Sequence, residues 1–123
     1  MEYIRSINPY DGRLLEEYRL FSAREIDQVL IRADHAFRAW KDQSVADRAV
    51  LLKNLGKELT KNRERLGILM AKEMGKPIAQ AIAEVEKCVW ACGFYAKNAT
   101  RFLSDDLIET EAQESFISYD PIG

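Results

Sequence analysis

The stretch Met74–Leu103 limits the fold more than any other part of the chain. It opens with "MGKP", a helix stop followed by a helix start. Gly75 suits the left-handed residue that closes a helix. Pro77 suits the first position of the next one, where no N–H is needed. From there to about Leu103 nothing breaks the pattern. Ile78, Ala81, Ile82, Val85, Cys88, Val89, Cys92 and Ala96 recur at helical spacing and mark an apolar side. Such a helix is about 39 Å long. A chain of 123 residues supports one domain with a modest core, so a helix of this length is expected to lie against something larger.

The segments before it read as a hairpin and three shorter helices. Tyr3–Ile7 and Arg13–Phe21 are two extended arms around "NPYDG". In that turn Pro presets φ, Gly permits a positive φ, and Asn and Asp bond back to the backbone. Ser22 and Glu25 form a capping box that opens the first helix, whose apolar stripe is Ile26, Val29, Leu30, Ala33, Phe37 and Trp40. Ser44 and Asp47 repeat the signal ahead of Val45, Ala49, Leu52, Leu55 and Leu59. The chain restarts near Asn62, and Leu66, Leu69, Met70 and Met74 carry the third stripe. After the long helix, "SDD" at 104–106 is a stop. "LIETE" and "SFISY" then read as two short strands around Ala112–Glu114, and "DPIG" ends where an apolar strand is expected to begin. The layout is hairpin, four helices, hairpin: a mostly helical α+β segment whose last motif reads as cut short.

Composition excludes several function classes. The net charge is −2, and lysines and arginines are interspersed with acids, so no basic stripe for nucleic acid is present. No apolar run approaches the roughly 18 residues that span a membrane. The first ten residues lack the basic-then-apolar layout of a signal peptide. Two cysteines four apart make no disulfide framework. These features together place the chain in the cytoplasm.

Chemistry-bearing residues are few. Cys88 and Cys92 share a face in a helix interior, without the C-x-x-C spacing, helix N-terminus or nearby cation that activates a thiolate; both read as buried apolar residues. His35, beside Asp34 and Arg38, lacks a nucleophile to serve and is placed at the surface or its boundary. Glu73, Glu84 and Glu86 read as a solvated face, Glu84 lying next to the apolar stripe. No glycine-rich phosphate loop is present. The terminal hairpin leaves open edges, which are either ordinary ends or a template for a second chain.

The chain resembles the N-terminal quarter of an NAD(P)-dependent aldehyde dehydrogenase. The residues that carry the likeness are "INPYDGRLL", "AFRAW", "RAVLLKNLGKELTKNRERL", "EMGKPIAQAIAEVEKC", "FYAKNA" and "SYDPIG", in order along nearly all of the sequence. "GKPIAQAIAEV" and "SYDPIG" are most similar to the succinate-semialdehyde dehydrogenase branch. The resemblance implies a parent with the α/β aldehyde dehydrogenase fold and a Rossmann-like cofactor domain, using NAD or NADP on a small aldehyde. In that family a Cys thiolate attacks the aldehyde, hydride passes to the nicotinamide, and a Glu-activated water releases the acid. The residues for these steps lie downstream, so no catalytic or cofactor-binding residue is assigned here, and no cofactor is expected to bind this chain. Residues 1–106 would be the hairpin and helices of the cofactor-binding domain. Residues 107–123 would be an oligomerisation hairpin and the start of a strand. By position, the backbone carbonyls of Ser6 and Ile7 and the carboxylate of Glu84 would hold a structural monovalent cation, with a last ligand beyond Gly123.

The alternative is a free-standing helical module that binds or oligomerises without catalysis. Under either reading the apolar helix faces and the 107–120 hairpin are expected to join copies into a homo-oligomer. No nucleic-acid or membrane partner is expected.

Overall fold

The computed structural model describes residues 2–122. Positions 1 and 123, the outer bounds of the two-part division and the last residue of "SYDPIG", lie outside the described residues. The order is β1 (Tyr3–Ile7), β2 (Leu14–Arg19), α1 (Ala23–Lys41), α2 (Val45–Lys61), α3 (Arg63–Met74), α4 (Ile78–Phe102), β3 (Asp106–Leu107) and β4 (Phe116–Ile117). The α+β layout of hairpin, four helices and hairpin is as the sequence predicts.

β1 and β2 pair antiparallel, from Tyr3 opposite Arg19 to Ile7 opposite Leu14, with a bulge between Ser6 and Ile7. Asn8 ties the turn at both ends. Its N–H donates to the Arg13 carbonyl at 2.9 Å, and its carbonyl accepts from Gly12 at 2.8 Å. Gly12 has φ +72°, a region that favours glycine. β2 is shorter at both ends than the predicted Arg13–Phe21, because Arg13 closes the turn and Leu20 bonds back to Glu2.

The capping box at Ser22 forms in full. Glu25 N–H donates to Ser22 Oγ at 3.3 Å, and Ser22 N–H donates to Glu25 Oε2 at 2.8 Å. Arg19, the last residue of β2, grips the same carboxylate with both terminal nitrogens. The Arg19 hydrogen bonds, followed by those from Ser22, lower the Glu25 pKa from 4.5 to about 2. A carboxyl whose pKa falls on folding adds stability above its unfolded pKa and loses it as pH drops toward the folded value. The first turn of α1 is therefore expected to fray between about pH 4.5 and pH 2. Acid titration followed by circular dichroism should show this step in the wild type and not in Glu25→Ala. An identical step in both would refute the assignment.

At Ser44 the box forms by half. Asp47 N–H donates to Ser44 Oγ at 3.0 Å, but the shorter Asp carboxylate meets the hydroxyl at 2.7 Å instead of the Ser44 N–H. Asn62 separates α2 from α3, its side-chain amide donating to the Glu58 carbonyl at 2.8 Å. Gly75 closes α3 at φ +67°. Pro77 precedes the long helix as its N-cap, one position earlier than predicted, leaving 25 residues in α4.

α2 and α3 both pack on α4. Two glycines set the distance. A Cβ at Gly56 would stand 3.3 Å from Cys92 Cβ, and one at Gly67 would stand 2.8 Å from Ile82 Cγ1. The buried apolar side chains are Ala81, Val85 and Cys92, all on α4. α1 buries no residue, so its predicted stripe of Ile26, Val29, Leu30 and Trp40 faces solvent. The accessible surface is 10342 Å². A compact monomer of 14.1 kDa exposes about 6,700 Å². The difference lies in open helix faces and the two hairpins.

The terminal hairpin is narrower than "LIETE" and "SFISY" suggest. Only Asp106 with Ile117 and Leu107 with Phe116 pair as strand residues, followed by one further bond from Ile108 N–H to the Ser115 carbonyl at 2.8 Å. Beyond that the Thr110 and Ser115 hydroxyls bond each other and Ala112 N–H turns back to Thr110, which ends the ladder. Among the described residues, no helix is long and apolar enough to cross a membrane.

Candidate functional site

Ser6 lies in β1, and its hydroxyl donates to Glu73 Oε1 at 2.7 Å. That bond, with Pro9 Cγ only 3.1 Å from where a Gly75 Cβ would be, seats the first hairpin on the α3–α4 corner. Ile7 ends β1, at the step where the bulge disrupts the ladder. Glu84 sits two turns into α4, and its carboxylate accepts from the Lys76 ammonium. Ser6 and Glu84 thus each have another partner, and no hydrogen bond joins them among the described residues. The sequence reads Glu73 as one of three solvated carboxylates and Lys76 as part of the turn; the partners they find, Ser6 and Glu84, are what sequence reasoning missed. Glu73 and Lys76 are long side chains beside the "GKP" turn, and only the folded corner reveals what they reach.

Glu86, the third of the acidic group, accepts from Arg63 at 2.9 Å and bridges α4 to the start of α3. Such exposed pairs contribute little to stability. The three carboxylates therefore engage three different partners and do not converge. No group of three or more His, Cys, Asp or Glu that could hold a metal is found among the described residues. His35 is exposed on α1, as expected.

The two cysteines differ, against the expectation that both are buried. Cys92 is buried and Cys88 is exposed. At about 100° per residue, α2 and α3 cover the side of α4 centred on Ile78, Val85 and Val89. Cys92 falls inside that arc. Cys88 falls on its flank with Glu84 and Ala91, in an open depression of about 630 Å³ also lined by Lys76, Gln80 and Lys87. A thiol reagent at neutral pH is expected to modify Cys88 readily and Cys92 only on unfolding. Mass spectrometry after brief labelling checks this, and equal labelling of both would contradict the packing described here.

Comparisons with known proteins bear on the whole chain. Residues 1–123 match the aldehyde dehydrogenase family. The probable succinate-semialdehyde dehydrogenase [NADP(+)] of Synechocystis sp. is 38% identical over 120 residues, covering 98% of this chain and 26% of that protein. The succinate semialdehyde dehydrogenase [NAD(P)+] Sad of Escherichia coli is 36% identical, covering 96% of this chain and 26% of that protein. The solved succinic semialdehyde dehydrogenase of Streptococcus pyogenes, in complex with NADP+, superposes with a TM-score of 0.85 at 26% identity, covering 94% of this chain and 25% of that one. The chain belongs to the aldehyde dehydrogenase family, and it spans about a quarter of the length of the curated relatives it matches.

Proposed function

We propose that this chain is the N-terminal, scaffold-forming quarter of an NAD(P)-dependent aldehyde dehydrogenase that oxidises succinic semialdehyde to the acid. The observation that carries this reading is the 38% identity, along almost the entire chain, to a probable succinate-semialdehyde dehydrogenase. The described residues supply no phosphate cradle and no converging acid, base and nucleophile, so no catalytic step is routed through them. When bound, NAD(P) would accept the hydride; the residues that hold it belong outside this segment. The contribution of this chain is mechanical. α4, braced by α2 and α3 at Gly56 and Gly67, presents long open faces for a larger body to rest on.

Within this reading residues 1–106 are the hairpin and helices of the cofactor-binding domain, and 107–123 are the assembly arm of a cytoplasmic homo-oligomer. Ser6 and Ile7 carbonyls with the Glu84 carboxylate form the cation site. Oxygen donors suit a hard cation, and the bulge loosens the ladder at the Ser6–Ile7 step. A cation must displace the Lys76 ammonium from Glu84. A rise in Tm with sodium or potassium over choline, lost in Glu84→Gln, tests the site. An unchanged Tm rejects it.

The function is tested by a chimera. This chain replaces the matching segment of the Escherichia coli relative, and NAD(P)H formation from succinic semialdehyde is followed. Turnover by the folded chimera supports the reading. A folded, inactive chimera would favour the alternative of a helical binding module.

A further inference from the structure

The two edges of the first hairpin are not alike. At the open end of the ladder, Leu20 N–H donates to the Glu2 carbonyl at 2.9 Å. Tyr3 stands opposite Arg19, so the alternation of an antiparallel pair turns the backbone groups of Glu2, Ile4 and Ser6 toward β2. Those of Tyr3 and Arg5 turn outward, and among the described residues no hydrogen bond reaches them. On the far side of the ribbon Glu17 N–H also faces outward, but it donates to Glu16 Oε1 at 3.3 Å, and the Arg19 guanidinium donates to the Leu20 carbonyl at 3.2 Å. The β2 edge is thus covered in part by its own side chains, and the β1 edge is bare. Proteins guard such an edge with lysine, proline or a bulge. Tyr3–Arg5 has none of these, since the bulge lies beyond it, between Ser6 and Ile7. The approach is open as well, with Tyr3 52% and Ile4 56% exposed. The hairpin is held to the helices at its other end, through Ser6 to Glu73 and Pro9 to Gly75. A two-stranded ribbon is marginal by itself, and further strands stabilise it.

We propose that β1 pairs antiparallel with β1 of a second copy, about a two-fold axis at Ile4, to make one four-stranded sheet. The outward groups allow few symmetric registers. One sets Tyr3 against Tyr3 and leaves Arg5 past the start of the other strand. Another sets Arg5 against Arg5, like charges in direct opposition. The remaining one sets Tyr3 against Arg5 of the second copy, and there every outward N–H and carbonyl of Tyr3 and Arg5 in both strands finds a partner. It also places Ile4 against its own copy on the axis, an apolar pair where the strands approach closest. The Tyr3 ring comes beside the Arg5 side chain of the second copy on the opposite face. A contact of this isologous kind closes at two copies. It lies at the other end of the chain from residues 107–123 and draws nothing from the role proposed for them.

A crosslink tests the register. Ile4→Cys, in a Cys88→Ser background that removes the exposed native thiol, sets two sulfurs at a pair whose Cα atoms are about 4.5 Å apart, within disulfide range. With oxidised glutathione most of the chain should become covalent dimer. Arg5→Cys in the same background should not, because its two copies lie out of register, beyond the roughly 7 Å that a disulfide spans. Sedimentation equilibrium tests the edge itself. Arg5→Pro removes an outward N–H that the hairpin does not use and should raise the dimer Kd about tenfold or more. Arg5→Thr keeps that N–H and should raise it far less. Hydrogen exchange on the wild type needs no variant: the Tyr3 and Arg5 amides should slow as protein concentration rises through the Kd. Failure of Ile4→Cys to crosslink, equal crosslinking through Arg5→Cys, a dimer that Arg5→Pro leaves untouched, or exchange at Tyr3 and Arg5 that ignores concentration would each overturn the proposal.

Discussion

The chain by itself is expected to form no NADH or NADPH from succinic semialdehyde above the uncatalysed background. Aldehyde dehydrogenation needs a thiolate, a base for the deacylating water and a held dinucleotide, and an enzyme gains about six orders of magnitude or more from such groups together. Of the two thiols here, Cys92 is sealed beneath Gly56. Cys88 is open to solvent but sits in the middle of α4, where the backbone N–H groups are spent on the helix and cannot stabilise an oxyanion. His35, the only histidine, is exposed on α1. Spectrophotometry at 340 nm with either cofactor checks the prediction. Steady, enzyme-dependent formation of reduced cofactor, surviving Cys88→Ala, would overturn the prediction and place catalysis within this segment.

The same residues show which parts of the fold the sequence makes legible. Local signals carried through: Ser22 with Glu25 starts α1, Asn62 divides α2 from α3, and Gly75 closes α3. Each depends on a few adjacent residues and one or two hydrogen bonds, so the chain encodes it within a turn. Burial was less legible. The stripe of α1 has helical periodicity yet faces solvent, because periodicity reports which face wants cover and not whether cover is present. Cys88 illustrates the same limit at one residue. It shares the apolar arc of α4 with Cys92, but the axes of α2 and α3 decide which edge of that arc is left open. The Ser6–Glu73 bond spans 67 positions, and no local pattern announces it. The resemblance to aldehyde dehydrogenases was legible from motif order, and the family match covers the same 123 residues.

Two glycine-to-alanine changes, alike in chemistry, are expected to move stability in opposite directions. At Gly93 an added methyl meets nothing within 4 Å. Gly93→Ala should therefore gain most of the roughly 1 kcal/mol by which alanine exceeds glycine in a helix interior. At Gly67 the same methyl would stand 2.8 Å from Ile82 Cγ1 and 3.4 Å from Ile82 N. Isoleucine in a helix is held to essentially one χ1 rotamer, and its backbone cannot move without α4. The clash is therefore relieved by pushing α3 away. Overpacking of this kind costs about 1–3 kcal/mol, which equals or exceeds the propensity gain. Few side chains are buried here, and Gly67 is the buried residue of α3 where that helix packs on α4. Gly67→Ala should consequently lower the urea midpoint while Gly93→Ala raises it, and Gly67→Leu should lose α3 packing altogether. Urea unfolding followed by circular dichroism reads all three variants at a protein concentration held fixed, so that any dimer contributes equally. A Gly67→Ala chain at least as stable as Gly93→Ala would show that α3 does not approach α4 as closely as Gly67 allows.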